Sequence, residues 1–258
     1  MFFGYFDESG ENGDGFFVVA GFVGRLEDWK KFLKLWRKEL GGKQSLHLKA
    51  MHLGSPKAVK RHGDLLLRLG SVPSQANLRA FAGSVGTAHY AGKVKGTIAQ
   101  IGLAGYNVAL VAMVDAVLES KLLPKREQIE FTFEDQVKFA VQRAATLHGF
   151  RQAEKYKTCH GKSRVGKDSA MEKGALLEAS DYLAYAILQQ LIDPTSPKAK
   201  ITAPILEASK PIGHSEVTKE NVDYLIGDVY GDHGEEIPTM DWQKRSYIIE
   251  EMKKSLKK

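Results

Sequence analysis

Apolar and polar positions along the first residues follow the patterns of strands. Residues 2–7, Phe2-Phe3-Gly4-Tyr5-Phe6-Asp7, and the run Phe16-Phe17-Val18-Val19-Ala20-Gly21-Phe22-Val23 are built from strand-favouring types. Between them lies Glu8-Ser9-Gly10-Glu11-Asn12-Gly13-Asp14-Gly15, dense in residues that make tight turns. The pattern predicts an N-terminal antiparallel hairpin. The period then changes. From Leu26 to Leu40, Trp29, Phe32, Leu33 and Trp36 recur at helical spacing, and Gly41-Gly42 closes the segment. A helix is expected there.

Residues 43–77 are less regular: Leu46-His47-Leu48-Lys49 alternates, and Val59 to Leu69 has helical spacing. Leu78 to His89 predicts a third strand, weakened by Gly83 and Gly86. Gln100 to Leu123 predicts a long, Ala-rich helix ending before Pro124. Ile129-Glu130-Phe131-Thr132-Phe133 alternates as a strand, and Val137 to His148 is helical in period. A short strand is expected near Tyr156, then a helix from Lys173 to Ile192, stopped by Asp193-Pro194. Residues 193–215 hold four of the eight prolines and are expected to form a wandering connection. Trp242 to Lys258 is expected as an amphipathic helix with a basic end.

This order predicts an α/β chain with a mixed sheet: antiparallel strands first, then alternating helices and strands, with helices on both faces. One fold with that order is the ribonuclease H-like fold, if residues 26–77 are a helical insertion after the second strand. The corresponding division is a domain over 1–192 and a mostly helical extension over 193–258.

Composition narrows the class. A chain of 258 residues, 43% hydrophobic and 26% charged, can bury a substantial core. No apolar run reaches the roughly 20 residues that span a bilayer, so no membrane partner is expected. The start lacks a basic segment ahead of an apolar one, which argues against a standard signal peptide. The single cysteine, Cys159, cannot form an internal disulfide and fits a cytoplasmic location. A net charge of +6 permits a polyanionic partner.

Three acids stand in unusual places. Asp7 continues an aromatic strand, sharing a face with Phe3 and Tyr5, while Phe2, Phe6 and Glu8 share the other. It either opens the turn or is a desolvated carboxylate held by a cationic partner. Asp181 falls in the stripe Leu177, Asp181, Ala184, Leu188, the face of its helix expected to meet the sheet. It is half of a buried ion pair, hydrogen-bonded to a backbone turn, or a ligand. Glu178, one turn earlier, is solvated surface or an auxiliary ligand. The strand over 129–133 ends in Glu134-Asp135, and parity does not choose between them; Asp135 could also cap the next helix. Oxygen ligands without a His/Cys cluster select Mg²⁺ or Mn²⁺ over zinc. His47, His52 and His62 show no zinc-site spacing.

These residues resemble a known family. Tyr5-Phe6-Asp7-Glu8-Ser9-Gly10, followed by Phe17-Val18-Val19-Ala20-Gly21, is similar to the opening of the family catalogued as domain of unknown function 3800. The likeness continues at Phe133-Glu134-Asp135 and at Leu177 to Tyr185, covering about residues 2–190. The resemblance implies a ribonuclease H-like fold and a metal-dependent nuclease with acids at Asp7, Glu134 (Asp135 beside it) and Asp181. Glu178 stands where many relatives carry Gln, and Lys162 is the counterpart of a basic residue in a loosely matching segment.

On that frame, Asp7 would bridge two divalent ions roughly 4 Å apart, with Glu134 and Asp181 flanking them. Lys162 and Arg164, in the lysine-rich stretch before the Asp181 helix, would hold substrate phosphates unless that stretch is a solvated loop. Likeness to the family adds Lys49, His47 and Ser9 as substrate contacts. The expected activity is hydrolysis of DNA or RNA. The rival readings are a non-catalytic nucleic-acid-binding or defence-accessory module, and the same cluster acting on a nucleotide or branched junction. Oligomeric state is left open, a homodimer included.

Overall fold

The computed structural model describes residues 1–10, 15–41, 55–89, 98–122, 127–133, 159–161 and 170–218, with single positions at 46, 48, 51, 53 and 147. Six strands form one mixed sheet: β1 (Phe2–Ser9), β2 (Phe16–Gly24), β3 (Arg79–Gly86), β4 (Ile129–Phe133), β5 (Cys159–Gly161) and β6 (Gly213–Val217). Their order across the sheet is β5-β4-β1-β2-β3-β6. β2 runs antiparallel to both β1 and β3, whereas β4 is parallel to β1, β5 to β4, and β6 to β3. The expected hairpin is present, with Phe6 opposite Gly21 and Asp7 opposite Ala20. β1 is therefore central, hydrogen-bonded on both edges.

The two faces of the sheet carry separate cores, as strand alternation requires. One face buries Phe2, Phe6, Phe17, Val19, Val23, Phe81, Val85, Ile129, Phe131 and Phe133 against helix α3 (Ile98–Glu119). The other carries Val18, Ala20, Phe22, Ala80 and Ala82, with Phe3 and Tyr5 packed alongside. It is covered by α1 (Leu26–Leu40), α2 (Pro56–Gln75), α4 (Ala170–Ile192) and α5 (Pro197–Ala208). Each fully buried Phe or Leu stabilises the fold by roughly 1.5–3 kcal/mol.

Helix α1 ends where Gly41 adopts the left-handed conformation, φ 62°. Its buried stripe is Trp29, Phe32, Trp36 and Leu40. Trp29 packs edge-on against Tyr5 at 4.7 Å between ring centroids and donates its indole N–H to the Phe3 carbonyl at 2.9 Å. Helix α2 starts at Ser55, whose hydroxyl accepts from the Ala58 amide. It extends beyond the expected span to Gln75 and contains Pro73. The helical pair α1 and α2 thus lies between β2 and β3 in the chain.

Several expectations are corrected. Residues 193–215 are not a wandering connection: they hold helix α5, and β6 begins at Gly213 and joins the sheet beside β3. Gly213–Val217 therefore belongs to the sheet. The third strand stops at Gly86 and gives way to a 3₁₀ turn over Thr87–His89. Helix α3 ends at Glu119, short of Leu123. The short strand sits at Cys159–Gly161, while Tyr156 lies outside the described residues. The expected helices at 137–148 (Leu147 apart) and 242–258 also lie outside them. No described helix is long and apolar enough to cross a membrane.

Candidate functional site

Asp7 is the seventh residue of the chain and the sixth of β1, near the strand's C-terminal end. It is 6% exposed. Its Oδ1 accepts the backbone N–H of Glu8 at 2.8 Å. Parity places it on the face of Phe3 and Tyr5, beneath α4, rather than in the aromatic layer under α3. Burial of a carboxylate on a central strand is costly unless charge or hydrogen bonds compensate it, so a simple turn residue does not describe this position.

Helix α4 crosses this face, packing on β1 and β2. One hydrogen bond fixes its height: Ser180 Oγ donates to the Tyr5 carbonyl oxygen at 2.7 Å. Further along, Leu188 lies beside Gly10, whose φ of +102° starts the turn after β1. The stretch of α4 between Ser180 and Leu188 therefore runs over the part of β1 that contains Asp7 and Ser9. Asp181 follows Ser180 directly and is half-buried, at the margin of the face that meets the sheet. Ser9 is 8% exposed and shares Asp7's parity. The structure thus brings the segments carrying Asp7, Ser9 and Asp181 together.

Glu178 is neither plain surface nor freely presented. It is half-buried, and its Oε2 accepts the indole N–H of Trp36 at 2.9 Å, so α1 holds one of its oxygens. Tyr182, one turn after Glu178 on the same side of α4, donates to the Leu66 carbonyl at 3.1 Å and ties α4 to α2. Burial pushes its phenol pKa up, so it remains a donor.

The neighbouring strand supplies a polar edge. β4 presents Glu130 and Thr132, both half-buried, opposite Phe3 and Tyr5, on Asp7's face. Burial raises the Tyr5 pKa, and the Glu130 carboxylate adds to the rise. The last described pair, Phe6 with Phe133, stands immediately before Asp7 on one strand and before Glu134 on the other. Glu134, Asp135, His47, Lys49, Lys162 and Arg164 lie outside the described residues. Among the described residues, no group of three or more His, Cys, Asp or Glu side chains is placed to hold a metal ion. The donors that are described, Asp7 and Asp181, are carboxylate oxygens, a set suited to a hard divalent cation.

Two features escaped the sequence reading. Glu8, on the α3 face, has both carboxylate oxygens buried although the residue is half-exposed. Its position beside Phe2 and Phe6 in the strand period was the available signal. The second is Ser84, fully buried on β3 and hydrogen-bonded at 2.8 Å to His214 Nε2 of β6. No short motif announces that pair. No model of a known protein family matches the chain, and no curated protein matches it.

Proposed function

We propose that this chain is a divalent-metal-dependent phosphodiesterase acting on DNA or RNA, built on a ribonuclease H-like sheet. The observation that carries the reading is the burial of Asp7 at the end of the central strand, under the helix that bears Asp181. The strand order β5-β4-β1-β2-β3, with β2 alone antiparallel to its neighbours, supports the fold assignment. β6 is an addition at the β3 edge.

Asp7 and Asp181 would hold the cation, Mg²⁺ or Mn²⁺. The third carboxylate is assigned to Glu134 rather than Asp135. Glu134 has the parity of Glu130 and Thr132, which lie opposite Phe3 and Tyr5 on Asp7's face. Asp135 has the parity of Phe131 and Phe133, which fill the apolar layer under α3. When bound, such ions supply Lewis acidity at the phosphoryl oxygens. The chain's own contribution is placement: Ser180 fixes α4 on β1, and Trp36 keeps one Glu178 oxygen turned toward α1.

The test is cleavage of single- and double-stranded DNA and RNA with Mg²⁺ or Mn²⁺. Activity is expected in the wild type and absent in Asp7→Asn and Asp181→Asn. Cleavage surviving both substitutions in folded protein would sink the proposal. Binding without cleavage by the wild type would favour the non-catalytic module.

A further inference from the structure

Helix α1 has two faces with different tasks. Its apolar stripe is spent on the core and on Tyr5 and Glu178. The outer face carries Lys30, Lys31, Lys34, Arg37 and Lys38, all exposed. At 100° per residue, these five fall within about a third of the helix circumference. Of the three acids of α1, only Glu27 lies within that arc, exposed in the first turn one turn before Lys30 and Lys31. Asp28 accepts from the Arg25 backbone at 2.9 Å, and Glu39 is paired with Arg68 of α2 at 3.0 Å. That ion pair ties the flank of α1 to α2, away from the basic arc.

The arrangement is unfavourable by itself except at Arg37 and Lys38, which the dipole favours in the last turn. Lys30, Lys34 and Lys38 follow one another at i,i+4, where like charges weaken a helix. Opposite charges at these positions would have been the stabilising choice, and a surface kept soluble needs only mixed charge. A row of cations about 6 Å apart along the axis suits a partner with regularly repeated negative charge.

We infer that the outer face of α1 is a docking surface for the phosphate backbone of nucleic acid, an inference that rests on the phosphodiesterase reading for its choice of partner. An anionic membrane fits less well. Helices that lie on membranes insert an apolar face, and the apolar face of α1 is buried inside the protein. The surface is sequence-independent by construction: exposed Lys and Arg on one helix face meet phosphates, which carry no base information. It would hold substrate beyond the reacting phosphodiester, on the insertion between β2 and β3.

The experiment compares the full chain with Lys30→Gln/Lys34→Gln/Lys38→Gln by fluorescence anisotropy on labelled duplex and single-stranded oligonucleotides. EDTA is present so that nothing is cleaved, and salt is varied. Three lost phosphate contacts should reduce the slope of log K against log salt by about 2–3 and weaken binding at least roughly tenfold at low salt. All three positions are exposed, and an unchanged circular dichroism spectrum and melting curve will show that the fold is intact. An unchanged slope and affinity would overturn the inference, and so would a defect confined to phosphatidylserine vesicles. Cleavage assays separate the two claims. If the triple variant binds normally while the wild type cleaves, only the docking surface falls. If the slope drops but the wild type never cleaves with metal, only the nuclease reading falls.

Discussion

Ser180 and Tyr5 are joined by a 2.7 Å hydrogen bond from the serine hydroxyl to the backbone carbonyl, across 175 residues of chain. Both residues sit one or two positions from a candidate acid. The bond makes the height of α4 on β1 a property of one side chain, and through it the placement of Asp181 relative to Asp7. Ser180→Ala should destabilise the protein by about 1 kcal/mol, read as a lower urea midpoint at unchanged slope. Cleavage should fall further than that loss of stability explains, because a small misplacement of a reacting group is costly to rate.

Trp36 and Glu178 offer a test of whether Glu178 is structural. Trp36→Phe removes the indole donor and leaves a half-buried carboxylate oxygen without it, at a cost of about 2–3 kcal/mol including lost packing. Glu178→Gln keeps an acceptor for the indole and should cost less than about 1 kcal/mol. If Glu178 serves α1, the Gln variant will retain cleavage and metal affinity. A metal affinity lost in that variant would make it a ligand.

The Ser84–His214 pair predicts a pH response. Burial lowers the His214 pKa below its usual value, against an opposing influence from the Glu216 carboxylate. The folded protein therefore favours neutral imidazole. Its stabilising effect is present above the unfolded value near 6.5 and is lost as pH falls through the lower folded pKa. Urea midpoints measured from pH 7.5 down to 5 should decline in the wild type, and less steeply in His214→Gln. An NMR titration of the His214 ring should give a midpoint below that of an exposed histidine.

Gly83 counted against a strand in the sequence, yet it lies inside β3. The reason is close approach: a Cβ there would collide with the Ala109 carbonyl oxygen and the Met113 amide of α3. Gly83→Ala should force α3 off the sheet and destabilise the protein by roughly 2 kcal/mol or more. A thermal melt reads this directly, and an unchanged Tm would refute the packing argument.

The parts of the fold that were legible were those with one dominant local signal. The 2–7 and 16–23 runs alternate strongly around a glycine-rich turn. Helix α1 has a single stripe and a glycine stop, and its bounds fall as expected. Residues 193–215 misled for a physical reason: Pro197 sits in the first turn of α5, where its missing N–H is not needed, and Ser196 caps that turn. Pro204 then lies inside the same helix. The edge strand Gly213–Val217 has little apolar content, so its pairing with β3 left no pattern to read. At the candidate site, the burial of Asp7 was legible from its aromatic neighbours. The setting of Asp181 was only half legible, because α4 is enclosed by the sheet, α1, α2 and α5 and lacks a single buried stripe. Trp36–Glu178 and Ser180–Tyr5 join residues more than 140 positions apart, beyond any local pattern.

The central claim is that Asp7 is a metal-binding carboxylate, and calorimetric titration with Mn²⁺ tests it most directly. The wild type should take up Mn²⁺ stoichiometrically, with saturating metal raising stability by about 2–3 kcal/mol at a hundredfold excess over Kd. Folded Asp7→Asn should show neither the uptake nor the stabilisation. Mn²⁺ binding of equal stoichiometry and affinity in Asp7→Asn and wild type would contradict the account.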